Sequence, residues 1–250
     1  MHRPLCVLAL LALVGGAPAV QGDDVTDVCA EDYRPAWTTW TADSDTNSLP
    51  SLQRGARDFI GYCSGCHSLK YLRWSRLGAD LRIPEAQLVA LLMPPGLDKN
   101  AYITTSLSSA DGEAWFGKAP PDLSLIVRAK GADYVYRFLT TFYADPAAAS
   151  GVNNLALPGT AMPHVLADLQ GVQSAVFRNC ERTGADRTTV QYAAFEKFET
   201  AVPGLLSPED FRRTVRDIVS FLDYVSDPTQ NQRRSLGIWV VLFLLAFTGI

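Results

Sequence analysis

Cys63-Ser64-Gly65-Cys66-His67 is the stretch on which the reading of this chain turns. Two thiols three positions apart fall on neighbouring faces of a single helical turn, and a histidine follows immediately. The C-x-x-C-H string is the pattern of c-type haem attachment. Cys63 and Cys66 would add to the two vinyl groups of the porphyrin, and His67 would turn its imidazole to the iron. A redox disulfide needs a strand–helix setting, which the flanking residues do not suggest, and a zinc site needs two more ligands nearby.

The residues before the motif continue this helical reading. Ala56, Phe59, Ile60 and Cys63 recur at helical spacing, which predicts a helix from Leu52 to about Cys66. Downstream, prolines at 84, 94, 95, 120 and 121 divide the chain into short elements, with no strand alternation between Ser68 and Ser150. A helix is predicted over Gly131 to Tyr143, with Tyr134, Phe138 and Leu139 inward. Residues 144–165 read as a long functional loop, and 166–206 as irregular. The clearest helix runs from Pro208 to Val225. Ser207 caps it, Pro208 takes the first position, and Phe211, Val215, Ile218, Leu222 and Val225 form one apolar stripe.

Both ends carry apolar runs. Arg3, the stretch Leu5 to Val14 and the small residues around Ala17-Pro18-Ala19 read as a secretory signal covering 1–22, which would remove Cys6. Residues 23–230 would then be the exported domain. Leu236 to Ile250 is uncharged, and 231–250 is read as a linker and a C-terminal transmembrane anchor. At about 22 Å the run is short of a membrane core of about 30 Å, so the remaining turns are expected beyond Ile250. Arg233 and Arg234 on the exported side run against the positive-inside tendency.

The formal charge of −4 disfavours nucleic acid as a partner and favours a basic protein. Cys29 and Cys180 remain after the signal and the haem motif. An oxidising compartment permits a disulfide between them, with two separate thiols as the alternative.

The sixth iron ligand has three candidates. Met162 lies in a Gly/Pro-punctuated loop able to cross the distal face, His164 is two residues on, and Met93 sits between a leucine-rich turn and Pro94-Pro95. A six-coordinate iron has no open position and would move electrons without activating oxygen or peroxide.

At this point an ordered set of segments resembles the cytochrome c1 family. They are Leu52-Gln53-Arg54-Gly55-Ala56 before the motif, Leu72-Arg73-Trp74-Ser75-Arg76-Leu77 after it, and Trp115-Phe116-Gly117 with Pro120-Pro121-Asp122-Leu123-Ser124. Asp133-Tyr134, Gly159 to Leu166, and Arg216 to Leu222 follow in the family's order. The resemblance implies a mainly α c-type cytochrome domain with long loops plus one C-terminal transmembrane helix, carrying one covalent haem c. It implies Met162 as the axial ligand opposite His67, Pro121 against the haem, and a propionate contact from Lys130 helped by Tyr134. The family usually has arginine where Lys130 stands. Lysine lacks the planar fork, so Arg128 is an alternative contact, and two solvated cations are another.

The resemblance further implies an electron-transfer subunit, not an enzyme on its own, within a dimeric quinol–cytochrome c reductase. Its partners would be cytochrome b, the Rieske iron–sulfur protein and a soluble cytochrome c. Its place would be the bacterial inner membrane, single-pass, with the haem domain facing the periplasm. A free-standing tethered cytochrome serving an oxidase or dehydrogenase is the alternative, and a haem peroxidase or sensor a third.

Overall fold

The structure is a computed structural model and describes residues 28–30, 32–183 and 188–249. The signal reading of 1–22, Cys6 included, lies outside the described residues.

Two helices form the centre. α1 (Leu49–Tyr62) starts at Ser48 with Pro50 in its first turn, three residues before the sequence suggested, and ends at Cys63. α8 (Pro208–Ser226) begins as expected, with the Ser207 hydroxyl accepting from Asp210 N–H at 3.1 Å. Their seam is closed by Leu52, Ala56, Phe59, Val215, Ile218, Phe221 and Leu222, all buried, and the Phe59 and Phe221 rings meet at 5.7 Å. The seam also contains a buried carboxylate. Asp217 accepts from Ser51 Oγ at 2.5 Å and from Arg54 Nε and Nη2 at 2.6 and 3.1 Å. The guanidinium reaches water while the carboxylate is covered, so neither charge is buried unpaired.

Shorter helices surround this pair: α2 (Trp74–Asp80), α3 (Glu85–Gln87, followed by a π-turn over Leu88–Leu92), α4 (Ser109–Phe116), α5 (Ile126–Lys130), α6 (Ala132–Thr140) and α7 (Ala167–Gln170). Val135, Tyr136 and Leu139 bring α6 into the same core, and Met93 is buried there. The arm before α1 lies extended over α6 and α8. Asp133 accepts from Ala42 N–H at 2.8 Å, and Ser44 Oγ bonds Asp223 at 2.8 Å.

The mainly α expectation is corrected. About 45% of the described residues are helical and 19% are strand. β1 (Leu69–Arg73) pairs antiparallel with β2 (Tyr102–Ile103), and β3 (Phe142–Ala144) with β4 (Val152–Asn154). The segment read as irregular is largely a long hairpin of β5 (Gly171–Thr183) and β6 (Thr189–Pro203). Its register shifts at two bulges, where β6 carries the extra residues Glu196 and Ala201. Both strands are largely exposed, with Cys180 and Ala194 the main buried side chains, so little apolar–polar alternation marks them in the sequence.

A disulfide joins Cys29 of the arm to Cys180 of β5, 151 residues away, and Val28, Cys180 and Ala194 form a small buried cluster around it. Of the two alternatives left open by the sequence, the structure has the bond. The C29A/C180A double variant is expected to lose about 2–4 kcal/mol, because a long loop in the unfolded chain is no longer closed. Urea denaturation measures this; an unchanged midpoint would contradict it.

The transmembrane anchor is also corrected. α9 (Gln230–Thr248) has 19 residues, but its first turns are Gln230-Asn231-Gln232-Arg233-Arg234-Ser235. Its apolar part covers only residues 236–248, about 20 Å of helix against a membrane core of about 30 Å. Among the described residues, no helix is long and apolar enough to cross a membrane.

Candidate haem site

The C-x-x-C-H motif follows directly from the end of α1. Cys63 is the C-cap residue, and its carbonyl accepts from Cys66 N–H at 3.1 Å and His67 N–H at 2.9 Å. This turn is held from outside by Thr105, whose hydroxyl donates to the Gly65 carbonyl at 2.6 Å. Cys63 is buried, Cys66 is half-buried, and neither is in a disulfide. Burial, with Asp58 and Cys66 adding to it, pushes the Cys63 thiol up to about 12. A thiol so disfavoured as thiolate is a poor match for a dithiol–disulfide catalyst.

His67 is oriented by the backbone. Its Nδ1 lies 2.7 Å from the Pro121 carbonyl oxygen. A carbonyl can only accept, so Nδ1 carries the proton and Nε2 keeps its lone pair free. Burial lowers the imidazole pKa, opposed by the Pro121 bond and Asp122, and favours the neutral ring. A neutral imidazole with its second nitrogen anchored is the form a metal ligand takes.

The Pro121 carbonyl is fixed in turn. Asp122 accepts from Lys70 N–H and Ser124 N–H at 2.8 and 2.9 Å. Leu123 N–H donates to the Ser68 carbonyl at 2.9 Å, and Tyr71 N–H to Ser124 Oγ at 3.2 Å. The Pro-Pro-Asp-Leu-Ser segment is thus tied along the strand that follows the motif. A cavity of about 290 Å³ opens beside it, with Cys66, Thr105, Leu107 and Pro120 in its wall. That cavity does not include Cys63, His67 or Met162 in its wall; it is the donor set and the tautomer that fit a thioether-linked haem.

Met162 is half-buried against the main core, after Gly159 with its positive φ of 73° and before Pro163. Two asparagines order the loop that carries it. Buried Asn154 donates to the Phe138 carbonyl at 2.7 Å and accepts from Ala156 and Leu157 N–H at 2.9 and 3.1 Å. Asn153 accepts from Gly159 N–H at 2.8 Å. A paired Asn between turn residues was the available sign of their structural part.

The basic candidates separate. Lys130 closes α5 with its ammonium 5.8 Å from the centre of the Tyr134 ring. Arg128 instead pairs with the buried carboxylate of Asp227 at 3.0 Å, which Arg233 of α9 also meets. Tyr134 is half-buried, stacked on Phe138 at 6.5 Å. Among the described residues, no group of three His, Cys, Asp or Glu converges as a metal site, as zinc would require.

Two unbridged cysteines beside a backbone-anchored neutral histidine, on a helical core, define a c-type haem protein that transfers electrons. Comparison with known proteins agrees. The pattern described as the Cytochrome C1 family matches residues 98–178. Cytochrome c1 of Allochromatium vinosum is 41% identical over 204 residues, 82% of this chain and 81% of that protein. A protein named ammonia monooxygenase gamma subunit, from Nitrosomonas europaea, is 36% identical over 206 residues, with 82% and 81% covered. Cytochrome c1 of Rhodospirillum rubrum is 25% identical over an alignment covering all of this chain and 93% of its own. The chain belongs to the cytochrome c1 family. Its cofactor is a single covalently attached haem c.

Proposed function

We propose that this chain carries single electrons from a Rieske iron–sulfur protein to a soluble cytochrome c within a quinol–cytochrome c reductase that also contains cytochrome b. The observation that carries the reading is the His67 Nδ1 contact to the Pro121 carbonyl beside two unbridged cysteines. It leaves one imidazole nitrogen to hold iron and two thiols to hold the porphyrin. When bound, the haem takes up and releases one electron at a time.

The residues divide the work. Cys63 and Cys66 would hold the porphyrin covalently at the end of α1. His67 and Met162 would hold the iron and close it to outside molecules. Thioether sulfur favours the ferrous state and raises the potential. Pro121 orients His67 through its carbonyl, while Lys130 and Tyr134 would meet the propionates, Arg128 being held by Asp227. The Cys29–Cys180 bond supports an oxidising compartment, the periplasmic side of a bacterial inner membrane, with residues 23–230 as the haem domain. The assembled complex would be dimeric.

The likeness to the ammonia monooxygenase gamma subunit favours one other reading, a haem subunit serving a different oxidative complex. Purification of the tagged full chain from its native membranes separates the two. Recovery of a b-type cytochrome and an iron–sulfur protein is expected; recovery without them, in company with a different oxidase, would contradict the proposal. In the same preparation, the C63S/C66S variant is expected to lose haem to acid–acetone extraction, whereas the parent retains it.

A further inference from the structure

His164 has no part in the scheme above, yet it is among the most firmly held side chains near Met162. Its ring stacks face to face on Phe142, with centroids 4.8 Å apart and planes 4° from parallel. Phe142 is fully buried at the start of β3 and meets Phe138 of α6 edge-on at 5.2 Å. The ring's Nε2 is buried without a hydrogen-bond partner among the described residues, so the stack on Phe142 is what holds the ring.

Gln170 of α7 ties the chain that follows to α6. Its Nε2 donates to the Thr140 carbonyl at 3.1 Å, at the end of α6. Gln173 reinforces the same corner, donating to the Phe142 carbonyl at 2.6 Å. The His164 carbonyl accepts from Ala167 N–H at 3.1 Å, at the start of α7. The main chain after Met162 is therefore fastened to α6, β3 and α7 within a few residues.

Met162 itself has little local restraint. Its N–H reaches Thr160 Oγ1 at 3.3 Å, and exposed residues flank it on either side. A methionine side chain has three rotatable bonds and a weakly held sulfur. Whether that sulfur stays on an iron depends on how well the loop beneath it is fixed. Pro163 limits the backbone between the two residues, so movement of His164 is passed directly to Met162.

We propose that His164 is a positioning residue for the sixth ligand: its ring, stacked on Phe142, fixes the loop that presents the Met162 thioether. It does not itself ligate. The inference rests on Met162 being the distal ligand.

The test uses the full-length holoprotein and its H164A and H164F variants. The readouts are the near-infrared sulfur-to-ferric-iron charge-transfer band and the midpoint potential. The parent is expected to show the band. H164A is expected to lose most of it, with a lowered potential, and H164F, which keeps a ring on Phe142, to retain both. H164A with the parent's band and potential would overturn the proposal, as would H164F losing as much as H164A. Should H164A not accumulate with haem, H164L fills a comparable volume without a ring face, and a full band there would also overturn it. A parent without the band would remove the Met162 reading itself, an outcome distinct from a parent and H164A that share the band.

Discussion

Replacing Gly55 by alanine is expected to destabilise the haem domain by about 3 kcal/mol, at the top of the usual range for overpacking, and to lower the melting temperature by roughly 6–12 °C. Gly55 lies on α1 where α8 crosses it. A β-carbon there would overlap the Asp217 carbonyl oxygen and come within 2.7 Å of the Asp217 carbonyl carbon and 2.8 Å of Phe221 Cβ. Two of these three atoms are backbone, so no side-chain rotation relieves the clash and the helices must separate. Separation would loosen the Phe59–Phe221 contact and the bonds of Asp217 to Ser51 and Arg54. Because α1 ends at Cys63, the same shift moves the haem-attachment turn. Thermal unfolding of the holoprotein followed by circular dichroism measures the effect. A G55A variant melting with its parent would show that the seam is looser than described.

Replacing Met162 by leucine is expected to change the chemistry far more than the stability. Leucine has similar volume and fills the half-buried position, so the fold should lose about 1 kcal/mol or less. The iron would lose its thioether, and with it the stabilisation of the ferrous state. A fall in midpoint potential on the order of 0.1–0.2 V is expected, a fraction of the roughly 0.8 V that axial ligands span. The reduced variant would also bind carbon monoxide. A redox titration of M162L with the parent's potential would remove Met162 from the iron and return the distal position to other residues.

The sequence made α8 readable because its signals agree: a capping serine, a proline in the first turn and an unbroken apolar stripe from Phe211 to Val225. The haem c cofactor was readable for a related reason, since covalent attachment demands a fixed Cys–Cys–His spacing within one turn. The β5–β6 hairpin was not, because its largely exposed strands lack the apolar alternation on which strand reading depends. The linker-and-anchor reading of 231–250 fails because its polar start and its apolar half belong to one helix, α9. The orienting role of Pro121 is exercised by a main-chain oxygen, which every residue has, and nothing in a side-chain pattern could announce it. Asn153 and Asn154 act through distant backbone groups, and Cys29 with Cys180 meet only because the arm and the hairpin fold onto each other. Such contacts between remote segments are set by tertiary structure and leave no local trace.

The proposed closure of the iron by His67 and Met162 is tested without any substitution, by exposing the dithionite-reduced, full-length holoprotein to carbon monoxide and recording the difference spectrum. No change in the Soret region is expected. A strong shift would show a vacant or readily displaced sixth position, and would contradict an electron carrier built on a Met162 ligand.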